Sequence, residues 1–407
     1  MSGLFQNRYV RAILLSGLFL QIGIWVRNIA ILLYVMERTE GDALAISMIS
    51  VAEYAPIFLF SFLAGTFVDR WRPKRTMVWS DLISAVSVVA VLLTFVYGTW
   101  KAVFFVTLIS SILSQFSHPS GMKLFKLHVP AEQLQAGMSL YQTLFAIFMV
   151  LGPILGTFVF QTFGMEAAMV ITAAAFLLSA LVLFFLPPDR VEASSAEPSA
   201  LWSEMVSGIR YVKQNRVLSL LGLCFMAAGL SIGLVQPLGI FLVTERLGLP
   251  KESLQWLITL QGVGMIAGGA LTMTLAKTIA PQKLLSAGLL GNAIALAVCG
   301  VSTQLWLTLA AQLLSGLLLP CIQIGINTML LKHTESSFIG RVNGILIPMY
   351  TGSMVVTMSV AGMLKEQFSL VSIYMLSSLL FVVGTLFILP LYRMQEGKSV
   401  EKREQVG

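Results

Sequence analysis

Apolar residues in this chain run in blocks of about twenty, broken by short polar turns, and within a block they occupy every face of a helix instead of a single stripe. The blocks fall at 12–36, 43–68, 77–97, 102–116, 139–162 and 167–186, and again at 218–243, 254–276, 284–301, 305–331, 342–364 and 370–392. A hydrocarbon layer about 30 Å thick is crossed by about 20 helical residues, and unpaired backbone groups are costly in lipid. The pattern therefore predicts an all-α membrane protein with twelve transmembrane helices. A membrane β-barrel would alternate apolar and polar positions, whereas 86–96 is almost continuously apolar.

Between the sixth and seventh blocks the composition changes. The segment 187–198 places Asp189, Arg190, Glu192 and Glu197 among Ser and Pro, which buries nothing and reads as a linker. From 201 to 217, Trp202, Met205, Ile209 and Val212 alternate with Arg210, Lys213 and Arg216, the pattern of a short amphipathic helix at the membrane surface. The expected organisation is an N-terminal six-helix bundle over 1–186, a cytoplasmic linker with this helix over 187–217, a C-terminal six-helix bundle over 218–392, and a charged, mobile tail over 393–407. Pro119 in span four and Pro320 in span ten, each followed by a basic turn, echo one another, so the two bundles are expected to be pseudo-symmetric.

Composition agrees: 57% of residues are hydrophobic and 11% charged, against roughly a quarter charged in soluble domains. The net charge of +7 does not point to nucleic acid, because Lys and Arg lie in short clusters flanking the spans. Arg70, Arg72, Lys74 and Arg75 follow span two, Lys123 and Lys126 span four, Lys277 and Lys283 span eight, Lys332 and Arg341 span ten, and Arg393 span twelve. All belong to one side, which predicts cytoplasmic termini in an inner-membrane protein. Arg8 and Arg11 precede an apolar stretch without a cleavage site, so that stretch reads as a retained first helix. Cys224, Cys299 and Cys321 sit inside apolar runs and read as small core residues, with no metal site expected.

The turn after span two carries Gly65, then Asp69 and Arg70, then Arg72, Lys74 and Arg75. It resembles the signature loop of the major facilitator superfamily in letters and in topological place. The resemblance implies a cytoplasmic gate network of Gly65, Asp69, Arg70 and Arg75 that holds an outward-open state, with Asp81, one or two turns into span three, expected to join it. Span five carries Gly152, Pro153 and Gly156, which looks like the core of the superfamily's antiporter motif; physically it is a kinked, close-packed seam. The segment 21–28 and the turn containing Gly340, Arg341, Asn343 and Gly344 resemble the macrolide-efflux and siderophore-export branch of drug:proton antiporters. The second-half counterpart of the signature loop, 268–283, lacks the acid, which implies a gate resting mainly on the first half.

Ionisable groups inside spans cost at least about 2.5 kcal/mol and invite a function. Arg27 and Glu53 lie at matching depth inside the outer ends of spans one and two, which predicts an ion pair, direct or through water, with Glu53 as proton carrier. A permanent bridge between two helices is the competing expectation. His118 and His128 lie near the inner end of span four, where packing roles are expected. Gln21, Trp25, Asn28, Tyr54, Gln142, Gln236, Gln261, Gln323 and Asn327 are candidate walls of a substrate cavity suited to a bulky amphipathic molecule.

These features predict a monomeric secondary transporter exporting a drug, macrolide or siderophore-like molecule by proton-coupled alternating access, with protons and membrane lipid as its other partners. A lysophospholipid or lipid flippase of the same fold is the near alternative, and a channel or membrane sensor a more distant one. No cofactor is expected. No nucleophile and base spacing or GxxxxGK[ST] loop is present, which disfavours an enzyme and ATP as the direct energy source.

Overall fold

A computed structural model of the chain describes residues 6–95, 100–187, 200–335 and 338–404, with side chains described for all of these except 61–70, 95, 100, 131–132, 200–204 and 393–404. No strand occurs among the described residues. The first-half helices are α1 (Arg8–Arg38), α2 (Ala43–Arg70), α3 (Pro73–Phe95), α4 (Val103–His128) and α5 (Ala131–Phe184). The later ones are α6 (Ala200–Gln214), α7 (Arg216–Val235), the single turn α8 (Gly239–Phe241), α9 (Leu254–Leu275), α10 (Pro281–Val301), α11 (Leu305–His333), α12 (Ile339–Gln367) and α13 (Leu370–Glu404).

Among the described residues ten helices are long and apolar enough to cross a bilayer, and one of them, Gln133–Phe184, has 52 residues. That is enough for two crossings at 1.5 Å per residue. The break comes at Gly164, where φ is 78° and ψ −178°. Only a residue without Cβ enters that region cheaply, so spans five and six fold back at this glycine. Helix α4 is also of spanning length but carries five serines, at Ser110, Ser111, Ser114, Ser117 and Ser120, and completes the set of twelve.

The chain divides into two compact units, one of Met1–Ser195 with Lys251–Thr259, the other of Ala196–Pro250 with Leu260–Gly407. In the first unit α1 packs chiefly on α5, α3 on α4 and α5, and α2 on α4. The second unit repeats this scheme, with α7 on α12 and α13, and α10 on α11 and α13. Lys251 belongs with the first unit because its ammonium pairs with Glu37, and Thr259 because its hydroxyl donates to the Val150 carbonyl at 3.1 Å. Cys224, Cys299 and Cys321 are free and buried.

The repeat reaches single side chains. Asn7 caps α1 by accepting from the Tyr9 amide at 2.9 Å and donates to the His128 carbonyl at 3.1 Å, tying the start of span one to the end of span four. Asn215 caps α7 by accepting from the Val217 amide at 3.0 Å and donates to the His333 carbonyl at 3.1 Å, the same tie in the second unit. Replacing an asparagine cap costs about 1 kcal/mol, and here the tie between helices is lost with it. Asn215→Ala is expected to lower the thermal unfolding midpoint of the detergent-solubilised protein by a few degrees, read by tryptophan fluorescence on heating.

Several boundaries differ from the sequence reading. The amphipathic helix stops at Gln214, because Asn215 starts α7 and takes Arg216 and Val217 into it. Its apolar side lies on α12: Tyr211 stacks on Phe338 at 4.4 Å, and a Cβ on Gly208 would meet the Arg341 carbonyl oxygen at 3.2 Å. Span seven is interrupted after Val235 by a turn at Pro237, which has no amide to donate, and resumes through α8 and a π-helical turn at Leu242–Arg246. Finally, α13 runs on to Glu404, so the backbone of the expected mobile tail is helical to that point. The linker beyond Pro187 lies outside the described residues.

Candidate functional site

Spans one to four are apolar almost all round, yet each turns a few polar residues toward the inside of the first unit. Their convergence leaves a cavity of about 350 Å³. Arg27 enters from α1, Glu53 from α2, Asp81 from α3, His118 from α4 and Tyr141 from α5. Arg27 and Asp81 are 3% and 2% exposed. Charges placed this deep are retained only with partners or water nearby.

The partners are specific. The Arg27 Nε and Nη2 donate to Asn28 Oδ1 at 3.0 and 2.8 Å, and Asn28 Nδ2 donates to Glu53 Oε1 at 2.8 Å. The expected Arg27–Glu53 ion pair is thus bridged by an amide. Adjacent residues on a helix point about 100° apart, and the Asn28 side chain occupies the space between the guanidinium and the carboxylate. Arg27 Nη1 is buried with no hydrogen-bond partner in the protein. Asp81 Oδ2 accepts from Ser179 Oγ at 2.6 Å, and Ser179 shares a 2.8 Å hydrogen bond with Ser16; the side chains of Asp69 and Arg70, which it was expected to join, lie outside the described residues. The second unit places Ser231 and Ser377 in an equivalent pair at 2.6 Å, without an acid.

The remaining predicted residues distribute as follows. Gln21 is buried and lines the cavity. Trp25 lies across Gly152, where its indole occupies the space a Cβ would take, and a Cβ on Gly156 would meet the Trp25 carbonyl oxygen at 2.8 Å. Pro153 sits inside α5 between them. This is the close-packed seam read from the sequence, formed between α1 and α5. Tyr54 is partly buried on α2, one residue beyond Glu53. Gln142, Gln323 and Asn327 are exposed on their helices, Gln236 is exposed in the turn after α7, and the Gln261 backbone carbonyl packs against Gly316. Arg75 is exposed in a groove with Trp71, Arg72 and Trp79. Gly65, Asp69 and Arg70 end α2 in helical backbone, and their side chains lie outside the described residues. His118 approaches Phe145 edge-on at 5.6 Å, while His128 stacks on Tyr9 at 3.9 Å outside the cavity.

The sequence reading missed the serines. Ser80 and Ser84 on α3 and Ser110, Ser111, Ser114 and Ser117 on α4 all line the cavity, as does Gln115. Their spacing carried the signal: 110, 114 and 117 fall on one helical face, as do 80 and 84. Among the described residues there is no group of side chains able to hold a metal ion.

Comparison with known proteins places this geometry. The chain is 25% identical over 380 residues to YkuC of Bacillus subtilis, an MFS-type transporter, covering 90% of this chain and 87% of that one. It is 25% identical to the multidrug efflux pump Tap of Mycolicibacterium fortuitum, over 77% of this chain and 78% of the pump. With macrolide efflux protein A of Streptococcus pyogenes the identity is 28%, over 52% of this chain and 54% of that protein. The crystal structure of the nucleoside transporter NupG shares the fold, with a TM-score of 0.77 at 14% identity, covering 95% of this chain and 100% of that one. The model of the Major Facilitator Superfamily matches residues 13–244 and 221–407. The helix count, the internal repeat and this match over nearly the whole length have one explanation: the chain is a multi-pass membrane transporter belonging to the Major Facilitator Superfamily.

Proposed function

We propose that this chain exports a bulky amphipathic small molecule, of the drug, macrolide or siderophore-like kind, in exchange for protons by alternating access. In this reading it acts as a monomer in the inner membrane with both termini in the cytoplasm. One observation carries the proton coupling: Glu53 lines the cavity and is joined to the buried Arg27 only through the Asn28 amide. A carboxyl so held has two states of different charge, and the ionised one engages the Asn28 amide and the Arg27 charge. Protonation weakens both, which biases any helix rearrangement that separates α1 from α2. The seam at Gly152 and Gly156 ties α1 to α5, so α2 is the freer partner. Efflux as the direction is supported by relatives named as a multidrug efflux pump and a macrolide efflux protein. The apolar walls contributed by Leu20, Ile24, Ile57 and Phe176 suit a largely apolar ligand. The orientation rests on the basic turns that follow the even-numbered spans.

The test is reconstitution in liposomes with an imposed pH gradient and a panel of macrolides, siderophores, dyes and lysolipids. Uphill movement of one amphipathic compound that stops when a protonophore collapses the gradient is the expected result. Flux indifferent to the proton gradient, or transport of lysolipid alone, overturns the reading.

A further inference from the structure

We infer that the cavity of the first unit is a hydrated proton path joining two carboxyls, and that Asp81 is a second proton-carrying group in series with Glu53. The inference rests on the proton-coupled reading above and adds a residue, a route and a charge rule to it.

Position comes first. Glu53 is about 15 Å along α2 from its start, and Asp81 about 12 Å along α3 from its start, by helical rise. Because α2 and α3 are consecutive and antiparallel spans, those starts lie at opposite faces of the bilayer. Glu53 therefore sits near the middle of the membrane and Asp81 nearer the opposite face, and both line a single cavity.

The lining is incomplete without water. Arg27 Nη1, Ser110 Oγ and Ser117 Oγ are buried, have no partner in the protein, and belong to residues that line this one cavity. Buried polar groups are almost always satisfied by protein or ordered water. A volume of about 350 Å³ has room for several water molecules. Ser110 and Ser117 lie two turns apart on α4, about 10 Å along its axis. A hydroxyl both donates and accepts, so serines at this spacing with water between them pass a proton by successive hydrogen-bond exchange.

Charge balance supplies the rule. The groups facing the two acids are Arg27 from α1, His118 from α4 and Tyr141 from α5, with Ser179 hydrogen-bonded to Asp81. Among the described residues that line the cavity, Arg27 is the one arginine and there is no lysine. With His118 and Tyr141 neutral, one cation faces two carboxyls, so a single shared proton makes the cavity neutral. It stays neutral whether that proton rests on Glu53 or on Asp81. Transfer breaks one carboxyl O–H bond at Glu53 and forms another at Asp81, with no net charge left in the membrane interior.

The experiment uses full-length protein in liposomes and compares uphill export driven by a pH gradient with gradient-free counterflow of the same compound. Asp81→Asn is expected to lose uphill export at least a hundredfold while counterflow persists, as Glu53→Gln does. Ser110→Ala with Ser117→Ala is expected to lower the ratio of uphill export to counterflow at least fivefold, and this pair tests the route even if Asp81→Asn fails to fold. Infrared difference spectra across a pH titration are expected to show protonated carboxyl bands that Glu53→Gln and Asp81→Asn each reduce. If Glu53→Gln abolishes uphill export but Asp81→Asn or the serine pair exports normally, the two-carboxyl path is wrong and the proton-coupled reading stands. Normal uphill export by Glu53→Gln removes both.

Discussion

Glu53→Gln is expected to abolish proton-driven uphill export, by at least a hundredfold, while the protein still folds, reaches the membrane and exchanges its compound in gradient-free counterflow. The substitution is chosen for what it keeps. A glutamine carbonyl accepts the Asn28 Nδ2 hydrogen bond that Glu53 Oε1 accepts at 2.8 Å, so the chain from Arg27 through Asn28 to residue 53 survives in outline. What disappears is the ability to change charge. Arg27 is 3% exposed and loses the carboxylate to which Asn28 links it. Removing one partner of a buried charged pair costs about 3–5 kcal/mol, and Asp81 in the same cavity offsets part of that cost. A modest fall in thermal stability should accompany the loss of coupling. Export and counterflow are measured on the same liposomes, so a general loss of protein lowers both. Selective loss of the uphill component is the expected signature, and undiminished uphill export refutes a coupling role for this carboxyl.

The largest expected effect on stability comes from Gly156→Val. A Cβ at this position would lie 2.8 Å from the Trp25 carbonyl oxygen and 2.8 Å from Ile29 Cβ, both on α1. A backbone oxygen cannot rotate aside as a side chain can, so the helices themselves must part. The α1 and α5 contact is the most extensive helix pairing in the first unit. Forcing extra methyl groups into a packed seam typically costs 1–3 kcal/mol, and valine adds two beyond the Cβ that already clashes. We expect a loss of at least about 3 kcal/mol, seen as a sharp fall in monodisperse protein on gel filtration and a lower unfolding midpoint. Gly269→Ala is the control: on α9 a Cβ meets nothing within 4 Å, and alanine is the better helix former by about 1 kcal/mol. Equal damage from both substitutions would mean that the seam is not what makes Gly156 necessary.

Arg27 and Glu53 were legible as a pair, because a charge inside an apolar run announces itself and the helical rise sets its depth. Asn28 was legible only as one polar residue among many. Its place between the two charges depends on how α1 is rotated about its own axis. Nothing in the letters ties Asp81 to Ser179, 98 positions away, whose hydroxyl donates to it in the fold. The glycines of span five were legible as small residues suited to a seam, whereas the partner that fills the seam, Trp25, was not.

The sequence alone determined the solvent, the number of crossings and the internal repeat, because these follow from composition and run length. Tertiary structure alone decided which faces meet. A helix apolar on all sides carries no stripe to say where its neighbours lie, and lipid exerts no hydrophobic pull that would orient it. Its rotation is set by close contacts such as Trp25 across Gly152 and against Gly156. Only when those contacts are made do one arginine, two carboxyls and a face of serines, drawn from separate spans, come to share a single cavity.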